Sequence, residues 1–195
     1  MKEMWNKRYA QTDFVYGNMP NEFFKQQLLK LTPGTILLPA EGEGRNAVFA
    51  AKKGWEVFAF DSSIEAMKKT EKWAKENNVQ INYQLSTYEE ADYPNNFFDA
   101  VAFIYAHSLT RSANHKKMLQ FLKPNGTIIL EGFCKKQIHN SSGGPKNIDR
   151  LFSEEELLSD FTVCADIKIW EEEIELNESI GHSGKASVIR LIGRK

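Results

Sequence analysis

The sequence predicts an α/β fold, a single-domain doubly wound, mostly parallel sheet of Rossmann-like type that ends in an antiparallel C-terminal hairpin. Three observations carry this. The stretch from Thr35 to Asp61 reads as strand, glycine turn, helix and strand. Strand-like and helix-like segments then alternate as far as Phe133. The last two strand-like segments have no helix between them, so they are expected to pair antiparallel at one sheet edge.

Each element has a local reason. Residues 1–20 are rich in aromatics but lack clean periodicity. A helix is expected from Asn21 to Leu31, with Asn21 as N-cap and Pro33-Gly34 as the stop. Ile36, Leu37 and Leu38 suggest a short buried strand, and Glu41-Gly42-Glu43-Gly44 a tight turn. Ala47, Val48, Ala50 and Ala51 make a small-residue helix that stops at Gly54. Val57 to Phe60 form a second strand, closed by Asp61. Ile64, Met67, Thr70 and Ala74 recur at helical spacing after a Ser63 cap.

Ile81 to Leu85 reads as a third strand. Phe98 to Ile104 is nearly all apolar, so it is expected to be covered on both faces. A helix over 113–122 and a turn at Pro124-Asn125-Gly126 lead into a fifth strand, Thr127 to Phe133. Lys135 to Arg150, with Ser141-Ser142-Gly143-Gly144-Pro145, reads as a surface loop. Ser153-x-x-Glu156 is a capping box opening a short helix. Strands are expected over 162–176 and 185–192.

Composition narrows the function. A chain of 195 residues suits one domain with a sizeable core. With 25 basic and 26 acidic residues, nothing favours a nucleic-acid partner. Glu171-Glu172-Glu173 is expected to be a solvated strand edge. Cys134 and Cys164 fit no metal motif and suit a reducing cytosol as small apolar residues. No apolar run is long enough to span a membrane, and the N-terminus lacks the apolar segment of a signal peptide. The expectation is a cytoplasmic monomer or homodimer with no metal, no membrane and no nucleic acid, acting on a small-molecule substrate.

The unit from Thr35 to Asp61 is suited to the adenosine half of a cofactor. Glycine lets the backbone approach a ligand, helix N–H groups point at it, and an acid at the next strand tip accepts from ribose hydroxyls. Gly42-x-Gly44-x-x-Ala47 also matches the dinucleotide fingerprint, so an NAD-binding oxidoreductase is a competing reading. The late start of the unit, the lack of room for a second catalytic domain and the terminal hairpin pull away from it.

Further residues carry a resemblance. Trp5-x-x-Arg8-Tyr9, Tyr16-Gly17, Pro20-Asn21-x-Phe23, Glu41-Gly42-Glu43-Gly44-Arg45-Asn46-Ala47, Phe98-Asp99-Ala100-Val101 and Leu122-Lys123-Pro124-Asn125-Gly126 run across the chain. Gly143-Gly144-Pro145-Lys146 and His182-x-Gly184-Lys185-Ala186 add to them. Together they resemble the small class I S-adenosylmethionine-dependent methyltransferases grouped with the tellurite-resistance and thiopurine enzymes. The resemblance implies one methyltransferase domain over 1–195, with a lid over 1–33 and the class I core over 34–195. Its cofactor would be S-adenosyl-L-methionine. Leu38 stands where many class I members carry an acid, Ala40 where many carry glycine, and Ser86-Thr87 where many carry an aspartate. Glu41 is then expected to take over part of the missing polar role.

On this reading Glu41, Gly42, Glu43 and Gly44 cradle the cofactor and Asp61 holds the ribose diol. Ser62, Ser63 and Met67 line the adenine side with Ser86 and Thr87. Asn46 either bonds the methionine carboxylate or caps its helix. Tyr105 and Ala106 follow the fourth strand at its ligand-facing end. His107, with an ordinary pKa near neutrality, is the candidate general base, and His182 on the hairpin connection is a second. Trp5, Tyr9 and Tyr16 could close over a sulfonium through their ring faces. Arg111 is expected in a solvated loop, and His115 and His139 are expected to be exposed. A non-catalytic module that binds S-adenosylmethionine remains an alternative.

Overall fold

The protein is described as a computed structural model covering residues 2–11, 14–179 and 182–195. Met1, Thr12 and Asp13 of the expected lid and Ile180 and Gly181 of the hairpin connection lie outside the described residues.

Among the described residues, seven strands form one sheet. They are β1 (Thr35–Pro39), β2 (Glu56–Asp61), β3 (Asn82–Leu85), β4 (Phe98–Ile104), β5 (Leu122–Phe133), β6 (Ala165–Ser179) and β7 (His182–Arg194). Their spatial order is β3-β2-β1-β4-β5-β7-β6. Strands β1 to β5 pair parallel, and β7 pairs antiparallel with both β5 and β6. The chain leaves β1 toward β2 and β3, then returns to the other side of β1 at β4. That reversal makes the carboxyl ends of β1 and β4 the switch point of the sheet, the place where such folds hold ligands.

The helices are α1 (Lys2–Tyr9), α2 (Glu22–Leu28), α3 (Arg45–Lys52), α4 (Ile64–Glu76), α5 (Arg111–Phe121) and α6 (Glu154–Asp160). The expected caps form: Asn21 accepts from Phe24 N–H, Ser63 from Ala66 N–H, and Ser153 with Glu156 makes the capping box. Period-2 alternation sends neighbouring strand residues to opposite cores. Ile36 and Leu38 pack with Phe24 and Ala47 on the α2–α3 face, whereas Leu37 joins Val101, Met118 and Phe161 on the α5–α6 face.

Four expectations need correction. Pro124-Asn125-Gly126 does not precede β5 but lies inside it as a bulge. The register steps from Phe98↔Leu122 to Ala100↔Thr127, and Asn125 takes φ 64. The stretch after Phe133 carries two 3₁₀ turns, Lys135–His139 and Ile148–Arg150, and a parallel bridge from Cys134 to Phe152. His115 is 1% exposed rather than solvated, because its Nδ1 meets Asp160 at 2.8 Å between Phe103 and Phe161. Arg111 is likewise no loop residue: it opens α5 and pairs with Asp160 and Glu156 of α6. His139 is exposed, as expected. Lys136, Arg190 and Lys185 pair with Glu171, Glu172 and Glu173 along the outer strand.

Candidate functional site

The turn after β1 is built from its own main chain. Ala40, Gly42 and Gly44 all take positive φ, of 51, 66 and 84. A Cβ on Gly42 would lie 2.8 Å from the Tyr9 hydroxyl, and one on Gly44 2.4 Å from Thr70 Cγ2. The Gly42 carbonyl accepts from the hydroxyls of Thr70 at 3.1 Å and Tyr83 at 2.7 Å. Neither partner was foreseen, since each lies on an element that meets the turn only in the folded chain.

Glu41 caps α3 from outside the helix. Its Oε1 accepts from Asn46 N–H at 2.9 Å and Ala47 N–H at 2.8 Å. Gly44, the N-cap residue, has no side chain to do this. Burial pushes the Glu41 carboxyl up to about 7. The Asn46 side chain accepts from Asn21 N–H at 2.9 Å and donates to Glu41 at 3.4 Å. It therefore ties the start of α2 to the turn.

Asp61 ends β2. One carboxylate oxygen accepts from Gly42 N–H at 3.2 Å and the other from Ser63 N–H at 2.9 Å. The side chain is buried, and desolvation raises its pKa. Ser63 caps α4 and donates to Asn6 of α1 at 2.7 Å, while Ser62 and Met67 are partly exposed beside it. Ser86 donates its N–H to the Asp61 carbonyl, and Thr87 caps the following turn through Glu90.

The N-terminal segment sits over this turn. Tyr9 is buried, stacks on Trp5 at 5.4 Å and meets Tyr16 edge-on at 6.5 Å. Val15 N–H donates to Glu43 at 2.8 Å, and Glu43 also pairs with Lys69. Burial raises the pKa of Tyr9, Tyr16, Tyr83 and Tyr105, so these phenols stay neutral beside the carboxylates.

At the end of β4, Tyr105 takes φ 52 and donates its hydroxyl to Glu131 at 2.9 Å. Its ring lies 4.7 Å from Phe133 and 4.9 Å from His182, and Tyr16 faces His182 at 4.6 Å. Ala106 is buried. His182 is the first residue of β7, and its Nδ1 meets Glu178 at 2.9 Å. The same Glu178 oxygen accepts from Arg45 at 3.1 Å, and Arg45 also donates to the Tyr16 carbonyl at 3.2 Å. These pairs hold the Glu178 carboxyl below its usual range.

The expected base, His107, is occupied. Its Nδ1–H donates to the Arg150 carbonyl at 2.8 Å, and its Nε2 accepts from Phe133 N–H at 3.1 Å. Burial pushes its pKa down to about 4. The geometry makes it a clamp between β5 and the 3₁₀ turn before α6, not a proton acceptor.

Two residues missed by sequence reasoning organise the site. Glu131, 1% exposed, accepts from Tyr105, from Asn21 at 2.5 Å and from Arg190 at 2.7 Å. A lone acid inside the apolar run Thr127–Phe133 was the available signal. Glu178 had none.

Residues 36–126 match the family described as a methyltransferase domain. No curated protein matches the sequence. Among solved structures, one described under conversion of a disulfide bond into a thioacetal group during echinomycin biosynthesis is 13% identical with TM-score 0.80, covering 100% of this chain and 91% of that one. TehB from Haemophilus influenzae is 16% identical with TM-score 0.71, covering 100% of this chain and 66% of its own. A structure titled as SAM-dependent methyltransferases from Methanosarcina mazei is 18% identical with TM-score 0.68, covering 91% and 98%. The fold is that of the class I methyltransferases. Among the described residues, no helix is long and apolar enough to cross a membrane, and no group of three or more His, Cys, Asp or Glu is placed to hold a metal ion.

Proposed function

We propose that the protein transfers the methyl group of S-adenosylmethionine to a small-molecule acceptor. The observation that carries this is the Asp61–Gly42 hydrogen bond, which sets a strand-tip acid against the glycine turn at the reversal of the sheet order. Three features fit the cofactor. Gly42, where a Cβ would come within 2.8 Å of the Tyr9 hydroxyl, lets an aromatic residue of the N-terminal segment close over the turn. Asp61 offers buried carboxylate oxygens for ribose hydroxyls. Glu41, Glu43 and Asp61, with neutral tyrosines among them, suit a sulfonium cation.

Bound S-adenosylmethionine supplies an activated methyl group for in-line displacement. The chain's own part is positioning, worth on the order of 7–11 kcal/mol in such reactions, and exclusion of water. Gly42 and Gly44 admit close approach of the cofactor. Ser62, Ser63, Met67, Ser86 and Thr87 border its adenine, and Tyr9, Tyr16 and Tyr105 close the methyl-bearing side. His182, oriented through Nδ1 by Glu178, is the side chain suited to take a proton from the acceptor. Balanced charge favours a small acceptor over nucleic acid.

An NAD enzyme is disfavoured because β7 enters antiparallel where a dinucleotide sheet continues parallel. A binding module without turnover draws support from the seated N-terminal segment, under which Asp61 is only 8% exposed. Thermal shift tests the cofactor: S-adenosylhomocysteine at a hundred times its Kd should add about 2.7 kcal/mol. Stabilisation by NAD with none by S-adenosylhomocysteine overturns the proposal. Formation of S-adenosylhomocysteine from S-adenosylmethionine across a panel of thiols, phenols, amines and oxyanions separates enzyme from module.

A further inference from the structure

A groove of about 410 Å³ lies along α3, from Arg45 to Lys53. It falls within the usual 300–1,000 Å³ of small-molecule sites. Met19, Pro20, Val48, Phe49 and Trp73 give it an apolar wall. Its charged lining is Arg45, Lys52 and Lys53, with no carboxylate among the described residues, on a chain of formal net charge −1. Lys52 is held by Asn77 at 2.9 Å, and the Lys53 ammonium lies 5.7 Å from the Phe49 ring.

Trp73 belongs to this lining, and its indole nitrogen Nε1 is buried without a hydrogen-bond partner among the described residues. The lining thus asks for an apolar body and negative charge.

We propose that this groove binds an amphipathic organic anion, a planar or acyl body carrying a carboxylate or sulfonate. Its apolar part packs on Phe49 and Trp73, and its anionic head meets Lys52 and Lys53. Arg45 links the groove to the site: it donates to the Tyr16 carbonyl and pairs with Glu178, so an occupant touches the residue that seats the N-terminal segment. The groove is an effector site, and it does not depend on which reaction the glycine turn serves.

Naphthalene-2-sulfonate is the probe. Titrated into the ¹⁵N-labelled full chain, it should move the Trp73 indole N–H signal saturably, with the signal assigned by Trp73→Phe. The neutral isostere naphthalene-2-sulfonamide should bind at least about tenfold more weakly. Lys52→Glu with Lys53→Glu, both exposed, should weaken the sulfonate by a similar factor and leave the spectrum otherwise folded. An unmoved Trp73 signal at millimolar probe overturns the proposal. So does equal affinity for the sulfonamide, or undiminished affinity in the double variant.

Discussion

The Asp61 carboxylate and the Gly42 main-chain N–H are hydrogen-bonded at 3.2 Å, which joins the tip of β2 to the turn that follows β1. The remaining oxygen fixes Ser63 at the start of α4. Asp61 is thus a brace for the turn and, on the proposed function, the acid offered to a ribose.

Asp61→Ala should weaken S-adenosylhomocysteine binding by about 1.5–3 kcal/mol, the usual loss for a charge-assisted hydrogen bond. Isothermal calorimetry on the folded variant measures it. Unchanged affinity would remove Asp61 from the cofactor site.

Glu41 and His107 make stability depend on pH in opposite senses. Burial raises Glu41 from 4.5 to about 7, so it favours the folded state at low pH, an advantage lost as pH climbs from 4.5 to about 7. Burial lowers His107 from 6.5 to about 4, so its stability is present above 6.5 and lost as pH falls toward 4. Each is on the order of 3 kcal/mol at 1.36 kcal/mol per unit, so the two largely cancel between pH 7 and 4. Glu41→Gln keeps the acceptor for Asn46 and Ala47 but removes one side of the balance. Its Tm should fall on acidification across this range, more steeply than that of the parent. A Tm profile parallel to the parent's would refute the Glu41 assignment.

Gly17 takes φ 71, and a Cβ there would stand 2.5 Å from the Glu178 carbonyl oxygen. Gly17→Ala should unseat residues 2–11 and 14–16 while the core stays folded, because neither main core cluster draws on them. The expected outcome is faster proteolytic cleavage before residue 17 with a Tm loss equivalent to about 1–2 kcal/mol. Parent-like proteolysis would show that the backbone absorbs the clash.

Arg190 neutralises the buried Glu131, pairs with Glu172 and lies 4.8 Å from the Phe23 ring. Arg190→Met leaves Glu131 without its cation and should cost about 3–5 kcal/mol in chemical denaturation. Arg190→Met with Glu131→Gln should recover part of that loss. A single variant within about 1 kcal/mol of the parent would mean that Glu131 is not held as a charge.

The legible parts of this fold were encoded locally. Apolar runs gave β1, β2, β4 and β5, and the caps at Asn21, Ser63 and Ser153 set three helix starts. What escaped depends on distant partners. His115 and Arg111 look solvent-facing until Asp160, 45 and 49 residues on, is brought against them. His107 looks like a base until Arg150 and Phe133 take both ring nitrogens. In the site, the glycine turn and Asp61 were readable because spacing alone puts them at adjacent strand tips. Glu178 was not, because its role comes from Arg45, 133 residues earlier.

The position of β7 between β5 and β6 has a consequence for how the chain is made. A ribosome releases β6 before β7, yet β6 has no neighbour in the sheet until β7 is threaded between it and β5. Nascent chains must therefore wait, with β6 unpaired, until β7 has emerged. Glu178 gains its His182 partner only then, so Arg45 and the main chain beside Gly17 find their seat after β7 is in place. The end of the molecule that carries the candidate site is thus finished by β7, which delays its closure until that strand is paired.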